Sequence, residues 1–342
     1  MRKRLLLFLT CVSTVMLAQE QTNYQPEVHG TLRGKYEYQT QEKEGRFEVR
    51  TARVSVTGNV TPQVEYMAEI DLCDEGAIKM LDAYTRLKPW KTLQFTIGQM
   101  RVPFTIDAHR SPHAQYFANR SFIAKQVGNV RDVGAMAGYM FNVGFPINLQ
   151  AGIFNGSGLT GQKDFWTKSV NYSAKALFYL PFNLTMETSV QKIKPDHLTV
   201  MMYDMGFTYQ RKNFLAEVEY LYKTYADKSY KDVHAVDAFV NYDIPVQNKR
   251  SLVRKVSPLV RYDFMSDHSD GIRYLNGAHS EAGTLITNDY QRHRVTGGVT
   301  LSLAKPFVSD IRINYEKYFY RDNALPKVSE RDKFVVEVMT RF

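Results

Sequence analysis

Between Pro103 and Val130 the chain reads PFTIDAHRSPHAQYFANRSFIAKQVGNV. With its flanks this stretch sets Arg101, Arg110, Arg120, Lys125 and Arg131 against only Asp107 and Asp132, and it adds two histidines, His109 and His113. Guanidinium presents a planar fork that suits phosphate and carboxylate. Held in a narrow, low-dielectric passage, such charges are poorly screened and favour anions. Bond-making chemistry is not indicated. The histidines at 109, 113, 197, 234, 268, 279 and 293 sit in segments with no GxSxG-type motif around them. No metal-ligand spacing is present, so no catalytic residue, metal site or cofactor is expected.

Other cations lie on segments of strict alternation. Arg33, Lys35, Arg86, Arg261, Arg294 and Arg312 fall on the parity that would face an interior, and so do Glu65, Glu69, Asp71, Asp82, Glu187, Glu217, Glu219 and Asp263. Two outcomes stay open: a net positive passage, or one in which wall carboxylates cancel the arginines. Arg50 and Arg53 have opposite parity, so both point inward only if a bulge lies between them. Asp132, beside Arg131, is expected to anchor the root of the 103–130 segment rather than to bind solute.

The elements that must position these residues are strands. In QVEYMAEIDL, Val64, Tyr66, Ala68, Ile70 and Leu72 oppose Glu65, Glu69 and Asp71; FLAEVEYLY and KFVVEVMTRF repeat the pattern. The runs are about nine to eleven residues long, the length of a tilted membrane-spanning strand. Short proline-bearing turns (VTPQ, KPWK, VGFP, LPFN, AKPF) alternate with longer polar loops, the largest near Ser266 to Arg292. Short turns at one end and long loops at the other are the habit of a transmembrane barrel. The count gives an all-β, antiparallel β-barrel of about 16 strands, with the 103–130 segment folded inward between strands 5 and 6. Its aromatics, Phe104, Tyr116, Phe117 and Phe122, would pin it to the wall.

The N-terminus carries Arg2, Lys3 and Arg4 before LLLFLTCVSTVMLA, which reads as a secretory signal peptide over residues 1–18. Residues 19–342 then form one barrel domain. Loss of the signal also removes Cys11 and leaves Cys73 alone, so no intrachain disulfide is expected. It lowers the formal charge from +9 to +6, a mild excess that gives no indication of nucleic acid. No later stretch approaches the 18 apolar residues of a membrane helix. Yet there are 22 Tyr and 20 Phe, and aromatics spread this way suggest strands. The last strand sets Phe334, Val336, Val338, Thr340 and Phe342 against Lys333, Glu337 and Arg341. It is expected to pair with the first strand and turn its oily face to lipid.

Several stretches carry a family resemblance. RFEVRTARVSVTGNV (46–60), LDAYTRLKPWKTLQFTIGQMRVPF (81–104), RDVGAM (131–136) and AGIFNGSG (151–158) resemble the phosphate-selective porin O and P family, in order from about residue 28 to residue 180. The resemblance implies a 16-stranded porin of the bacterial outer membrane, usually a trimer, with a loop folded into the lumen. Phosphate-binding members use a ladder of arginines and a lysine cluster on that loop; here the loop holds one lysine, Lys125. The expected function is a water-filled channel for small hydrophilic solutes, leaning to anions such as phosphate, with Arg33, Lys35, Arg50, Arg53 and the loop cations at the constriction. A structural or adhesive surface barrel with a plugged lumen is the alternative. Expected partners are outer-membrane lipid, the solutes, further copies in a homotrimer, and the barrel assembly machinery reading the strand that ends at Phe342, which resembles an outer-membrane sorting signal.

Overall fold

A computed structural model describes residues 24–342 apart from 75–76, 128–129, 249, 307 and 322–325. The proposed signal peptide lies outside the described residues. Sixteen antiparallel strands follow in order: β1 (Glu27–Gln39), β2 (Glu44–Thr61), β3 (Val64–Asp74), β4 (Ala77–Trp90), β5 (Leu93–Arg101), β6 (Arg131–Asn142), β7 (Pro146–Phe154) and β8 (Asn171–Leu180). The second half comprises β9 (Leu184–Ile193), β10 (Val200–Arg211), β11 (Phe214–Tyr225), β12 (Val233–Tyr242), β13 (Val253–Met265), β14 (Arg292–Leu303), β15 (Val308–Tyr320) and β16 (Lys333–Arg341). Each pairs with its sequence neighbours, and a short extension at Ile244–Pro245 continues the edge beside β13.

The sheet closes on itself. β16 pairs with β1 from Thr31 opposite Arg341 to Gln39 opposite Lys333. Two further backbone bonds extend the seam: Gly30 N–H donates to the Phe342 carbonyl at 2.8 Å, and Phe342 N–H to the Gly30 carbonyl at 3.1 Å. Closure satisfies every edge, which hydrocarbon requires because it offers no hydrogen-bond partners. Phe334, Val336, Val338 and Phe342 face outward and exposed, while Lys333, Val335, Glu337 and Met339 are buried within. The opposing parity is therefore not uniformly wet.

Val335 and Met339 reflect a wider departure from a polar lumen. A buried apolar cluster occupies part of the interior, formed by Met100, Phe104, Phe122, Ile123, Met202, Leu221, Met265 and others. Many of these lie on the chain between β5 and β6, or on strands β9–β13. A short α-helix, α1 (Phe122–Gln126), sits in that cluster. The loop from 266 to 291 carries a small three-stranded sheet built on Arg273–Leu275.

Candidate pore constriction

The chain after β5 reaches lumen-facing residues far from its own strands. At Thr105 the backbone takes φ +59°, a left-handed conformation that strains a β-branched residue. Four bonds hold this turn. Thr105 N–H donates to Ser189 Oγ (3.2 Å) and Lys175 Nζ to the Thr105 carbonyl (2.7 Å). Ile106 and Asp107 N–H donate to the Glu219 carboxylate (2.5 and 3.4 Å). Further along, Phe122 N–H donates to Asp263 (3.2 Å), and Asn314 accepts from Ala118 N–H (2.9 Å).

Asp107 ties the segment's two limbs together. Its carboxylate accepts from Ser121 N–H and Oγ, at 2.9 and 3.0 Å, and pairs with Arg110. Ser121 Oγ in turn caps α1 by accepting Ala124 N–H at 3.1 Å. Burial alone would raise the Asp107 carboxyl, but Arg120 and Arg110 hold it below its usual value.

The cations divide into two groups. Arg110 turns away, its Nη2 donating to both carboxylate oxygens of Glu217 on β11 (2.7 and 2.9 Å) and its guanidinium lying over the Tyr116 ring. Lys125 points toward Glu330 at 3.9 Å, Arg101 donates to the His109 carbonyl (2.7 Å), and Lys35 is held by Glu37, Glu48 and Asn119. The second group lines a cavity of about 770 Å³ between the segment and the wall of β1–β4: Arg33, Arg50, Arg53, Arg120 and Arg131. Arg46 and Lys79, absent from the sequence-based set, complete it. Seven cations therefore face Glu48 and Asp71 there, among apolar contacts from Leu81, Pro112, Leu159 and Cys73.

The parity question at Arg50 has a structural answer. Arg33 pairs with Thr51 and Gly34 with Val49, so β2 carries one extra residue, Arg50, at a bulge. That is why two residues of opposite parity reach one cavity. A second irregularity opposite Glu69 and Ile70 places Leu81 between Asp82 and Met80, and parity counted from Asp82 misses Lys79. Arg46 follows plain alternation and was legible, since it sits two residues before Glu48 and four before Arg50.

The charge contest also resolves in part. Wall carboxylates do pair with cations: Arg53 with Asp71 (2.9 Å), Arg131 with Asp82 and Glu69 (both 2.9 Å), and Arg33 and Arg312 with Glu337. Three carboxylates of β11–β13, however, are engaged at least in part by the segment itself. Glu217 is taken by Arg110, Glu219 by two backbone N–H groups, and Asp263 by Arg261, Arg294 and Phe122 N–H. Arg120 donates to the carbonyls of Asp107 and Arg110; burial lowers it to about 10, still charged at neutral pH. His113 is pushed down to about 4 by burial and by Arg341, whose guanidinium lies 2.8 Å from Nε2. Burial also lowers His109 well below its usual value. Neither histidine adds charge at pH 7.

Asp132 does something other than the sequence suggests. Its carboxylate accepts N–H from Gly156 (2.6 Å) and Gly158 (3.2 Å), so it holds the loop after β7 rather than the segment preceding β6. Among the described residues no group of three His, Cys, Asp or Glu side chains is arranged to hold a metal.

A family model described as phosphate-selective porin O and P matches residues 24–178. Solved structures share the fold at low identity. An anion-selective porin from Comamonas acidovorans is 11% identical with a TM-score of 0.62, covering 93% of this chain and 98% of that one. OmpF of Salmonella typhi, solved with daunomycin, is 11% identical with a TM-score of 0.63, covering 93% and 97%. The trimer form of Vibrio cholerae OmpT is 12% identical with a TM-score of 0.58, covering 93% and 98%. No curated protein matches the sequence.

Proposed function

We propose, from the match of residues 24–178 to the phosphate-selective porin O and P family model, that this outer-membrane barrel is a water-filled channel for passive diffusion of small hydrophilic solutes, with a preference for anions. The observation that carries the preference is the cavity between the 102–130 segment and β1–β4, where seven cations face two carboxylates. Sixteen strands enclose more space than side chains alone fill. The segment occupies the β9–β13 side with apolar groups and engages Glu217, Glu219 and Asp263 there, so the remaining passage runs along the basic wall. Fields in such a passage are strong because its walls exclude water. Phosphate is one candidate solute. Each wall arginine is already part-neutralised by a carboxylate, which favours transit over tight capture.

The remaining parts of the reading follow from it. Residues 1–18 serve as the export signal, residues 19–342 form the single barrel, and the 103–130 loop acts as the constriction. The barrel assembly machinery recognises the terminal strand, and three copies associate in the membrane, as in the trimer form of OmpT.

The test is the reversal potential of purified protein in a planar bilayer under a potassium chloride gradient. Chloride dominance is expected, and it should weaken in the Arg50→Gln/Arg53→Gln/Arg120→Gln variant. Potassium dominance would mean that the wall carboxylates govern the passage. Absence of conductance steps from folded protein would favour a plugged surface barrel.

A further inference from the structure

The outward face carries a repeated arrangement that the channel does not use. On β11 and β12, Tyr222 stands directly opposite His234, and Tyr220, two residues back, has its hydroxyl 2.8 Å from His234 Nδ1. On β13 and β14, Phe264 stands directly opposite His293, and Tyr262, again two residues back, has its hydroxyl 2.7 Å from His293 Nδ1. In both pairs the imidazole packs against its aromatic neighbours, with ring centroids 4.8–6.2 Å apart. Alternation places all six rings on the face opposite the buried Glu219, Asp237, Asp263 and Arg294, and so outside the barrel. His234, Tyr220 and Tyr262 are exposed there.

We propose that His234 and His293 form a two-point contact for the phosphate of an anionic lipid headgroup in the leaflet on the long-loop side. Both histidines lie at the ends of their strands that lead into the long loops 226–232 and 266–291, where a barrel meets headgroups rather than acyl tails. A hydroxyl donating to Nδ1 fixes the ring proton on Nε2. Among the described residues no hydrogen bond engages either Nε2, so each presents a donor at headgroup depth. The histidines are two strands apart and two residues out of level, or roughly 12 Å from the spacings of a sheet. That separation spans two neighbouring headgroups or one bearing two phosphates. The same belt carries Lys192 over the Tyr172 ring, donating to Ser169 Oγ and the Val170 carbonyl with no carboxylate partner among the described residues, and Lys317 over Phe319, paired with Asp332. Asp232, which accepts the Tyr222 hydroxyl (2.8 Å), fixes that ring beside His234. Lys192 and the Nε2 donors complement a lipid phosphate, whereas the face of a second copy of this chain would bring the same donors and rings.

The experiment uses the whole protein reconstituted in bilayers of phosphatidylglycerol and the phosphate-free glycolipid digalactosyldiacylglycerol in equal parts, with lipids retained after detergent extraction counted by native mass spectrometry. The wild type should retain phosphatidylglycerol about tenfold over the phosphate-free lipid, the ratio expected when two hydrogen bonds gain an ionised acceptor. His234→Leu/His293→Leu, which keeps the face apolar, should retain the two lipids equally. Tyr220→Phe/Tyr262→Phe, which leaves the rings but frees the tautomer, should fall between. Unchanged retention in the leucine variant would overturn the proposal. So would a change in the number of associated copies without a change in lipid, which would make this face a subunit contact. Single-channel conductance of the same samples reports separately on the channel reading, because none of these residues faces the lumen.

Discussion

Arg110 and Arg120 lie ten residues apart on one segment, yet they are expected to respond differently to substitution. Arg120 lines the cavity and also donates to the carbonyls of Asp107 and Arg110, so Arg120→Gln should shift the reversal potential toward potassium at a cost of about 1–2 kcal/mol. Arg110 is buried in its pair with Glu217, whose side chain is 1% exposed. Arg110→Gln leaves that carboxylate without its charge partner and should destabilise the fold by about 3 kcal/mol, read as a lower unfolding temperature. Arg110→Gln/Glu217→Gln should recover most of that loss, and failure to recover would mean that the pair is not the reason for Arg110. The histidines give a pH prediction. A histidine held below its usual value favours the neutral form in the fold, so protonation opposes folding as pH falls below the unfolded value of about 6.5. Selectivity should therefore stay flat from pH 8 to pH 5. His113 should add positive charge only near pH 4, and a steep change in selectivity near pH 6.5 would contradict its placement against Arg341.

At the scale of elements, the 102–130 segment is held by Asp107 and Glu219 rather than by any helix of useful length. Asp107→Ala would free Ser121, Arg110 and the start of α1 together, and leave two buried donors unpaired at about 1–3 kcal/mol each. The barrel should remain folded while single-channel recordings show larger current noise from a loosened segment. Quiet traces at wild-type conductance would show that Asp107 is not its anchor. The sequence revealed the segment through its length, its charge and its aromatics, because long structured loops seldom persist without a role. It did not reveal which cations face the passage. That depended on a bulge at Arg50 and an irregularity at Leu81, and each shifts parity by one residue without a distinctive residue type to mark it. Asp132 was likewise legible as an anchor, but its object, the Gly156–Gly158 turn, is close only in space.

The molecule as a whole was the most legible part, because alternation, turn chemistry and strand count all point to one closed sheet. Less legible was the apolar cluster inside it, since Met202, Leu221 and Met265 on inward parity look like errors of pattern until α1 is packed against that side. Closure should be sensitive where β1 meets the chain terminus. A Cβ at Gly30 would fall within the Phe342 ring, so Gly30→Val should force that ring off the seam. The folded band on unheated electrophoresis should then convert to the unfolded form at a lower temperature, and an unchanged conversion temperature would show that the Phe342 contact contributes nothing to closure.

The anion preference requires that water reach the cavity beside β2–β4 and that the field there be positive. Cys73 lines that cavity and is the free cysteine of the described residues, so it reports on both points without any engineered site. The measurement is its rate of modification by a negatively charged and a positively charged methanethiosulfonate reagent. Each rate is divided by the reagent's rate with a free thiol, with Cys73→Ala as the control. Both reagents should react, with an advantage of about tenfold or more for the anionic one that falls as salt is raised. An advantage for the cationic reagent, or no modification of folded protein by either, would contradict the anion preference.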